Sequence, residues 1–331
     1  MNLLITGGCG FIGANVIHHV IERPEVLLLV NLDALTYAAN PANLGSIPAH
    51  PKYRFEQVDL REKTAVAEVV TRYSITHVLH LAAESHVDRS ITGPDAFIHT
   101  NVVGTMNLLE ACRAAWSGAF QSRRFLHIST DEVYGSLGSA GALTESSPYA
   151  PSSPYAASKA AADLLVRAYH RTYGFPAVIT NCGNNFGPYQ HAEKLIPVII
   201  ASVLARRPIP LYGDGAQVRD WISTRDHAEA LWQVLTRGVL GETYNIGARC
   251  ELTNQVLAEQ ICDLVDELAP QLGGDSRHLI SHVADRLGHD RRYAVDPTKL
   301  ERELGWKARS SFPEALRETV RWYLARRERM T

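Results

Sequence analysis

Short apolar runs alternate with longer amphipathic stretches through the first half of the chain. The runs at 2–7 (NLLITG), 26–33 (VLLLVNLD), 53–59 (YRFEQVD), 77–83 (HVLHLAA), 124–130 (RFLHIST) and 177–183 (AVITNCG) read as buried strands. Helical patterns lie between most of them, as at 95–117 and 154–173. In these, Leu108, Leu109 and Cys112, and Leu164, Leu165 and Ala168, recur at helical spacing. Alternating strand and helix predicts an α/β fold, a doubly wound parallel sheet of Rossmann type. The second half has fewer strand runs and more turns: RRPIPLYGDG (206–215), LGGD (272–275) and DRLGHDRR (285–292). A smaller, irregular α/β region is expected there. The expected boundaries are 1–180 plus 220–246 for the sheet domain and 181–219 plus 247–331 for the smaller region. GSLGSAGA (135–142) reads as a loop.

Composition narrows the class. The chain has 331 residues, 46% of them hydrophobic, enough for a large core. A net charge of −2 leaves no electrostatic footprint for nucleic acid. The five cysteines (Cys9, Cys112, Cys182, Cys250, Cys262) form no CxxC pair, which argues against structural zinc or a disulfide framework and fits a reducing cytoplasm. No His/Cys/Asp/Glu spacing suggests a metal site. The apolar amino terminus lacks a basic segment and is broken by Gly7, Gly8, Gly10 and Gly13, so no signal peptide is expected. No apolar run is long enough to span a bilayer, and no membrane partner is expected.

Two motifs carry chemistry. TGGCGFIG follows the first run and opens a helix, with Gly7, Gly10 and Gly13 in G-x-x-G-x-x-G spacing. Backbone N–H groups at such a helix start cradle a pyrophosphate, and a Cβ would block the approach. Asp33 ends the second run, where a carboxylate accepts from both ribose hydroxyls and repels a 2′-phosphate; NAD is therefore expected over NADP. Asp59, after the third run, can meet the adenine edge. The second motif is SSPYAASKAAADLL, with Ser153 as N-cap, Pro154 at the first helical position, and Tyr155 and Lys159 one turn apart on one face. A tyrosine is a poor base at neutral pH. A nearby ammonium and a cationic nicotinamide favour its phenolate, and a shift of roughly three units is worth about 4 kcal/mol. Such a phenolate can take a proton from a sugar hydroxyl.

HISTDEVYG (127–135) poses a question, since it sets Asp131 and Glu132 side by side at the end of a half-apolar run. Like charges and desolvation both penalise that arrangement.

The chain resembles the extended branch of the short-chain dehydrogenase/reductase superfamily, and within it the dTDP-glucose 4,6-dehydratase family. The resemblance is carried by LTYAAN (35–40), LAAESHVDRSI (81–91), STDEVYG (129–135), SPYAASKA (153–160), NNFGPYQ (184–190), EKLIP (193–197), YGDG with RDW (212–221), YNIG (244–247) and GHDRRYA (288–294), and it runs from residue 2 to about residue 323. It implies oxidation at sugar C4, loss of water across C5 and C6, and reduction at C6. One carboxylate must then be ionised to take the C5 proton, and the other protonated to release the C6 hydroxyl. Adjacent carboxylates in a partly dry site push their pKa values apart and supply that division. By the resemblance Asp131 is the acid, Glu132 the base, and Thr130 a hydrogen-bond partner of the C4 oxygen. In a regular strand neighbours point to opposite faces, so both can serve only if the chain is already turning off the sheet.

The cofactor contacts expected for NAD are Gly7, Gly10, Phe11, Ile12, Gly13, Asp33, Leu35, Thr36, Asp59, Leu60, Leu81, Ala82, Ala83, Thr100, Tyr155, Lys159 and Asn185. The substrate diphosphate calls for cations, and Arg219, Arg286 and His289 are the candidates. The resemblance adds Ser85, Thr130, Asn184, Lys194, Leu195, Pro210, Tyr212 and Asn254 as substrate contacts. His86 reads as a structural hydrogen-bonding group. The family's homodimers pack through helices equivalent to 95–117 and 154–173, whose apolar positions exceed what one sheet face buries, so a homodimer is expected. Cys9, Ala14 and Arg225 depart from the family pattern, and the chain ends soon after RWYLARRERM, without the tail many relatives carry. A 4-epimerase or decarboxylase of the same fold would share the glycine turn and the Tyr155–Lys159 pair but needs no dedicated acid and base at C6. A non-enzymatic dinucleotide sensor would need none of these side chains.

Overall fold

The computed structural model describes residues 1–326. Seven strands form one parallel sheet: β1 Asn2–Thr6, β2 Leu28–Leu32, β3 Tyr53–Glu56, β4 His77–His80, β5 Arg124–Thr130, β6 Ala177–Cys182 and, later in the chain, Thr243–Ile246. With the three short strands β7 Asn184–Phe186, β8 Ile209–Tyr212 and β9 Val218–Ser223 between β6 and it, Thr243–Ile246 is β10. The sheet order is β10-β6-β5-β4-β1-β2-β3, so the direction of winding reverses between β1 and β4. Clefts open at such a reversal, beyond the carboxyl ends of the strands.

Successive strand residues serve opposite faces. Leu3 and Ile5 of β1 pack with the helices Phe11–Val20 and Thr224–Arg237, while Leu4 packs with Lys63–Arg72 and Thr105–Ala115. Both faces are covered, and this is why β1 and β6 are buried along nearly their whole length rather than at alternate residues. Five of the six expected strands stop one to three residues early at their carboxyl ends, where the chain leaves the sheet to line the cleft; β5 ends as expected. β10 was not expected as a strand. It follows the helix Thr224–Arg237 and reaches the sheet edge beside β6.

The expected helix at 95–117 is interrupted. Asp95–Phe97 passes into a π-helical stretch, Ile98–Gly104, before Thr105–Ala115 resumes. Such insertions cluster at functional sites, and this one carries Thr100 into the cleft. The helix Pro154–Tyr173 forms over the expected span, capped by Ser153 Oγ, which accepts from Ala156 N at 3.1 Å. Its inward face is not the Leu164 stripe, since Leu164 is 56% exposed. Tyr155, Ser158, Lys159, Ala162, Asp163 and Val166 point inward instead. A face that carries polar groups for chemistry cannot be read as a hydrophobic stripe.

The smaller region holds two sheets, β11 (Glu251–Thr253)-β9-β7 and β12 (Ile280–Val283)-β8. The helices Leu195–Leu204, Asn254–Leu268 and Phe312–Leu324 bury Ile199, Ile261 and Val320 with Trp221 in a separate core. Strand β9 lies in this region, although residues 220–223 fall in the span expected for the large sheet. Conversely, Leu300, Leu304 and Trp306 join the core of the large sheet. Residues 327–331, the end of the expected second region and of RWYLARRERM, lie outside the described residues. No helix among the described residues is long and apolar enough to cross a membrane.

Candidate active site

One cleft runs along the carboxyl ends of β1, β2, β4, β5 and β6. At its first end the glycine turn leaves β1. Gly7 has φ +72°, and a Cβ there would sit 2.8 Å from the Ala82 backbone. A Cβ on Gly13 would stand 2.1 Å from the Gly7 oxygen, so the turn closes only with glycine at that position. The result is a cradle of backbone at the start of the helix Phe11–Val20, suited to a diphosphate. Asp33 is buried behind it. Its carboxylate accepts from Cys9 N at 2.9 Å and Leu35 N at 2.8 Å. Burial pushes its pKa up, and these two N–H groups oppose the rise. Asp59 shares the cleft wall with Leu60 and accepts from Arg61 Nη2 at 2.6 Å, which holds its carboxyl below the usual range.

Gly10, Phe11, Ile12, Thr36, Leu81, Ala82, Ala83, Thr100 and Asn185 also line this cleft. Leu35 does not. Its φ of +53° turns the side chain onto the large-sheet core, where it packs as an apolar group.

At the inner end β5 finishes at Thr130, and Asp131–Tyr134 forms a single 3-10 turn. The chain has left the sheet by Asp131, so neighbouring side chains are freed from strict alternation. Thr130 Oγ1 caps the turn, accepting from Glu132 N at 3.3 Å, and lies 3.3 Å from Asp131 Oδ1. Both carboxyls line the cleft together with Tyr155 and Lys159.

Electrostatics separate the two carboxyls. Burial holds the Asp131 pKa well above the ordinary carboxyl value, and the charge of Glu132 adds to that. Asp131 Oδ2 is buried without a hydrogen-bond partner. Burial raises Glu132 too, but Arg286, Arg219 and Lys194 all oppose it. Both shifts are upward, and the cations that face Glu132 make the two environments unequal.

Tyr155 departs from expectation. Its phenol is held well above its ordinary value, first by burial, then by Glu132, Cys182 and Asp131, with the Thr130 hydroxyl opposing. Lys159 Nζ donates to the Ile128 carbonyl oxygen at 2.8 Å. The groups around Tyr155 thus favour its neutral phenol, the opposite of what the Tyr155–Lys159 spacing alone suggests.

The expected substrate contacts divide. Ser85, Thr130, Asn184 and Lys194 line the cleft, and Lys194 Nζ donates to the Ser85 oxygen at 3.1 Å. Arg219 is buried, donates to the Asp290 oxygen at 3.0 Å, and lies over the Tyr293 ring at 4.4 Å. Arg286 Nε is buried with no partner. His289 Nδ1 lies 2.6 Å from Asp285, and its ring meets Tyr212 edge-on at 6.1 Å. Arg219 and Arg286 act on His289, and with Lys194 on Glu132, so these cations converge from three distant stretches. Leu195 packs on the core of the small region, Pro210 is exposed in β8, and the Asn254 backbone N–H donates to Gln217. None of these three lines the cleft. His86 caps the helix Val87–Thr92 through Nδ1, 3.4 Å from Arg89 N. Sequence reasoning missed Glu193, which lines the cleft; the Arg89 guanidinium reaches it at 3.4 Å and stacks 3.7 Å from the Tyr37 ring centre. They come from three separated motifs, and no local spacing joins them.

The GDP-mannose 4,6 dehydratase family matches residues 4–319. The dTDP-glucose 4,6-dehydratase of Neisseria gonorrhoeae is 53% identical over 99% of this chain and 97% of its own. The crystal structure of DesIV, a dTDP-glucose 4,6-dehydratase from Streptomyces venezuelae solved with NAD bound, superposes with a TM-score of 0.92 at 46% identity, covering all of both chains. A Thermus thermophilus UDP-glucose 4-epimerase in complex with NAD reaches a TM-score of 0.86 at 30% identity, over 98% of this chain and 99% of that one.

Proposed function

The chain belongs to the GDP-mannose 4,6 dehydratase family, among its dTDP-glucose 4,6-dehydratases, and from that premise we propose how its cleft works. The protein is an NAD-dependent lyase that converts dTDP-glucose to dTDP-4-keto-6-deoxyglucose by oxidation at C4, elimination of water across C5 and C6, and reduction at C6. The epimerase shares the fold, so fold alone does not choose the chemistry. The observation that carries the reading is the pair Asp131 and Glu132, buried in one cleft with Tyr155 and unequally served by cations.

NAD fits the cleft: Gly7 and Gly13 leave room for its diphosphate, and Asp33 stands at the end of β2 for a ribose. When bound, NAD supplies the two-electron acceptor and the cation that favours the Tyr155 phenolate. Tyr155 then takes the proton of the C4 hydroxyl, with Thr130 hydrogen-bonding that oxygen and Lys159 holding positive charge beneath. Oxidation acidifies the C5 proton, and Glu132 removes it. Asp131 gives its proton to the departing C6 hydroxyl, which leaves as water. Lys194, Arg219, Arg286 and His289 hold the diphosphate of the substrate.

The division of labour follows the two regions, with residues 1–180 plus 220–246 serving NAD and 181–219 plus 247–331 serving the nucleotide sugar. The segments exchanged across that boundary tie the two together. The helices Thr105–Ala115 and Pro154–Tyr173 carry Met106, Leu164 and Tyr173 exposed on their outer sides, and Ile98 is exposed beside them, a surface for a homodimer built as a four-helix bundle. Light scattering that finds only a 36.5 kDa species would count against it. Five free cysteines fit the cytoplasm.

Incubation with dTDP-glucose and with UDP-glucose, followed by mass spectrometry, tests the activity. A product lighter by one water is expected, with dTDP-glucose preferred. A nucleotide sugar recovered at unchanged mass with its C4 configuration inverted would identify an epimerase and end the proposal.

A further inference from the structure

The helix that carries Tyr155 and Lys159 turns a third polar residue inward. Asp163 lies one turn beyond Lys159 and is fully buried. Its Oδ2 accepts from Tyr149 OH at 2.8 Å, Ser129 Oγ at 2.9 Å and Asn181 Nδ2 at 3.5 Å. Its Oδ1 lies 3.1 Å from His127 Nε2. Asn181 Nδ2 also donates to the Thr130 oxygen at 3.1 Å. One carboxylate thus ties the catalytic helix to the last residues of β5, just where Thr130, Asp131 and Glu132 leave the sheet.

The charge of Asp163 needs an opposite charge, because a buried ion without one is neutralised rather than tolerated. Ser129, Tyr149 and Asn181 are neutral donors. His127 is kept neutral by burial and by Lys159, and burial does the same to His80 beside it. Arg167, one turn further along the helix, donates to Tyr149 OH at 2.8 Å and not to Asp163. Of the groups that hold the Asp163 carboxyl down, His127 at 3.1 Å comes first, and Lys159, one turn back on the same inward face, is the full cation among them. Burial drives the Lys159 ammonium toward losing its proton, and Asp163 is the foremost charge opposing that loss. Cys182, which faces Lys159 from β6, has its thiol pushed up to about 12 and contributes no anion near neutral pH. Asp131 and Glu132 act instead on Tyr155, which also shares this helix.

We propose that Asp163 is a positioning residue of the reaction: the counter-ion that keeps Lys159 charged and, through Ser129 and Asn181, the tether that sets the end of β5. This rests on the reading of Tyr155 and Lys159 as the proton-transfer pair. It adds that the pair is a triad in which the third member never touches substrate. The structure also accounts for the residue type: a buried asparagine could keep several of the hydrogen bonds but not the charge.

The test reads Lys159 directly. The chain has six lysines, so a 13Cε-lysine spectrum of the NAD-loaded protein is simple, and Lys159→Met assigns the signal. Asp163→Asn should lower the pH at which Lys159 loses its proton by about one unit or more, the effect of removing one close opposite charge. Loss of that cation raises the Tyr155 pKa, so the acidic limb of kcat/KM for dTDP-glucose should move to higher pH by a similar amount. Asp163→Glu retains the charge and should leave the limb at its wild-type position even if turnover falls. A folded Asp163→Asn protein in which Lys159 titrates as in wild type, or in which turnover falls equally at every pH, overturns the proposal. If Asp163→Asn does not fold, the wild-type titration decides. A Lys159 charged at about pH 7 supports a working counter-ion, and one already neutral there overturns it. The lysine titration uses no substrate, so it stands or falls apart from the dehydratase reading.

Discussion

The two walls of the cleft are built in opposite ways. The cofactor wall is made of short contiguous segments, each following one strand of the large sheet: the glycine turn after β1, Asp33 after β2, Asp59 after β3 and Leu81–Ala83 after β4. Much of its recognition comes from backbone and small side chains. The proposed substrate wall rests on single charged side chains, Lys194 in the cleft lining and Arg219, Arg286 and His289 beyond it, held by three stretches of the small region. The comparison teaches that a wall built where strands end comes from short contiguous segments, whereas a cluster of cations is assembled only by the way distant segments pack. Between the walls sit Thr130, Asp131, Glu132 and Tyr155, where the demands of the two meet.

The strongest perturbation strikes that meeting point. Tyr155→Phe removes the base and little volume, so folding and NAD content should survive while turnover falls ~10²–10⁴-fold. Steady-state kinetics with released NAD measured in parallel checks this, and near-normal activity would move the base to another group. The two carboxyls separate next. Glu132→Gln should oxidise C4 and stall, with reduced cofactor accumulating and no deuterium entering C5 from heavy water. Asp131→Asn keeps the C5 base and should exchange C5 hydrogen faster than it loses water. The reverse pattern would exchange the two assignments.

The substrate wall should answer differently from the cofactor wall. Arg286→Ala removes a charge-assisted contact worth about 1.5–3 kcal/mol, so KM for dTDP-glucose should rise roughly 10- to 100-fold. NAD content should stay unchanged. Loss of NAD in this variant would show that the walls are not independent.

Away from the cleft, the fold has a pH signature of its own. His227 is buried on the helix Thr224–Arg237 that follows β9, and burial lowers its pKa to about 3. In the unfolded chain it gains a proton near its ordinary value of 6.5. Between those values the unfolded chain binds more protons, so stability falls as pH drops, by up to about 1.4 kcal/mol per pH unit for this one group. Denaturant titrations from neutral pH downward should show a shallower acid slope in a folded His227→Gln protein. The smallest effect belongs to the helix cap. Ser153→Ala deletes one hydrogen bond and should cost about 1 kcal/mol of stability, read as a lower denaturation midpoint.

Particular residues show how far reading the chain reaches. The glycine turn, Asp33, and the Tyr155–Lys159 pair on one helical face are set by neighbours within a turn or a strand, and the structure brings all of them to one cleft. Their signals are local: a backbone that only glycine permits, and a spacing of four on a helix. Leu35 shows the limit, since a left-handed backbone at that single residue sends the side chain to the core. Leu195, Pro210 and Asn254 show another, because their places depend on how the small region packs.

By itself the sequence determined the alternation of strands and helices, the dinucleotide turn and the one-turn spacing that sets Tyr155 and Lys159 on one helical face. These follow from short-range sterics and periodicity, which any segment carries with it. Only the tertiary structure made the surroundings of the two carboxyls unequal, since that depends on burial and on Lys194, Arg219 and Arg286 arriving from far along the chain. It also decided that burial holds the Tyr155 phenol above its ordinary value, and that Asp163 is buried on the same helix face as Lys159. A pKa is a property of everything within a few ångströms, and distance in space is what the order of residues does not record.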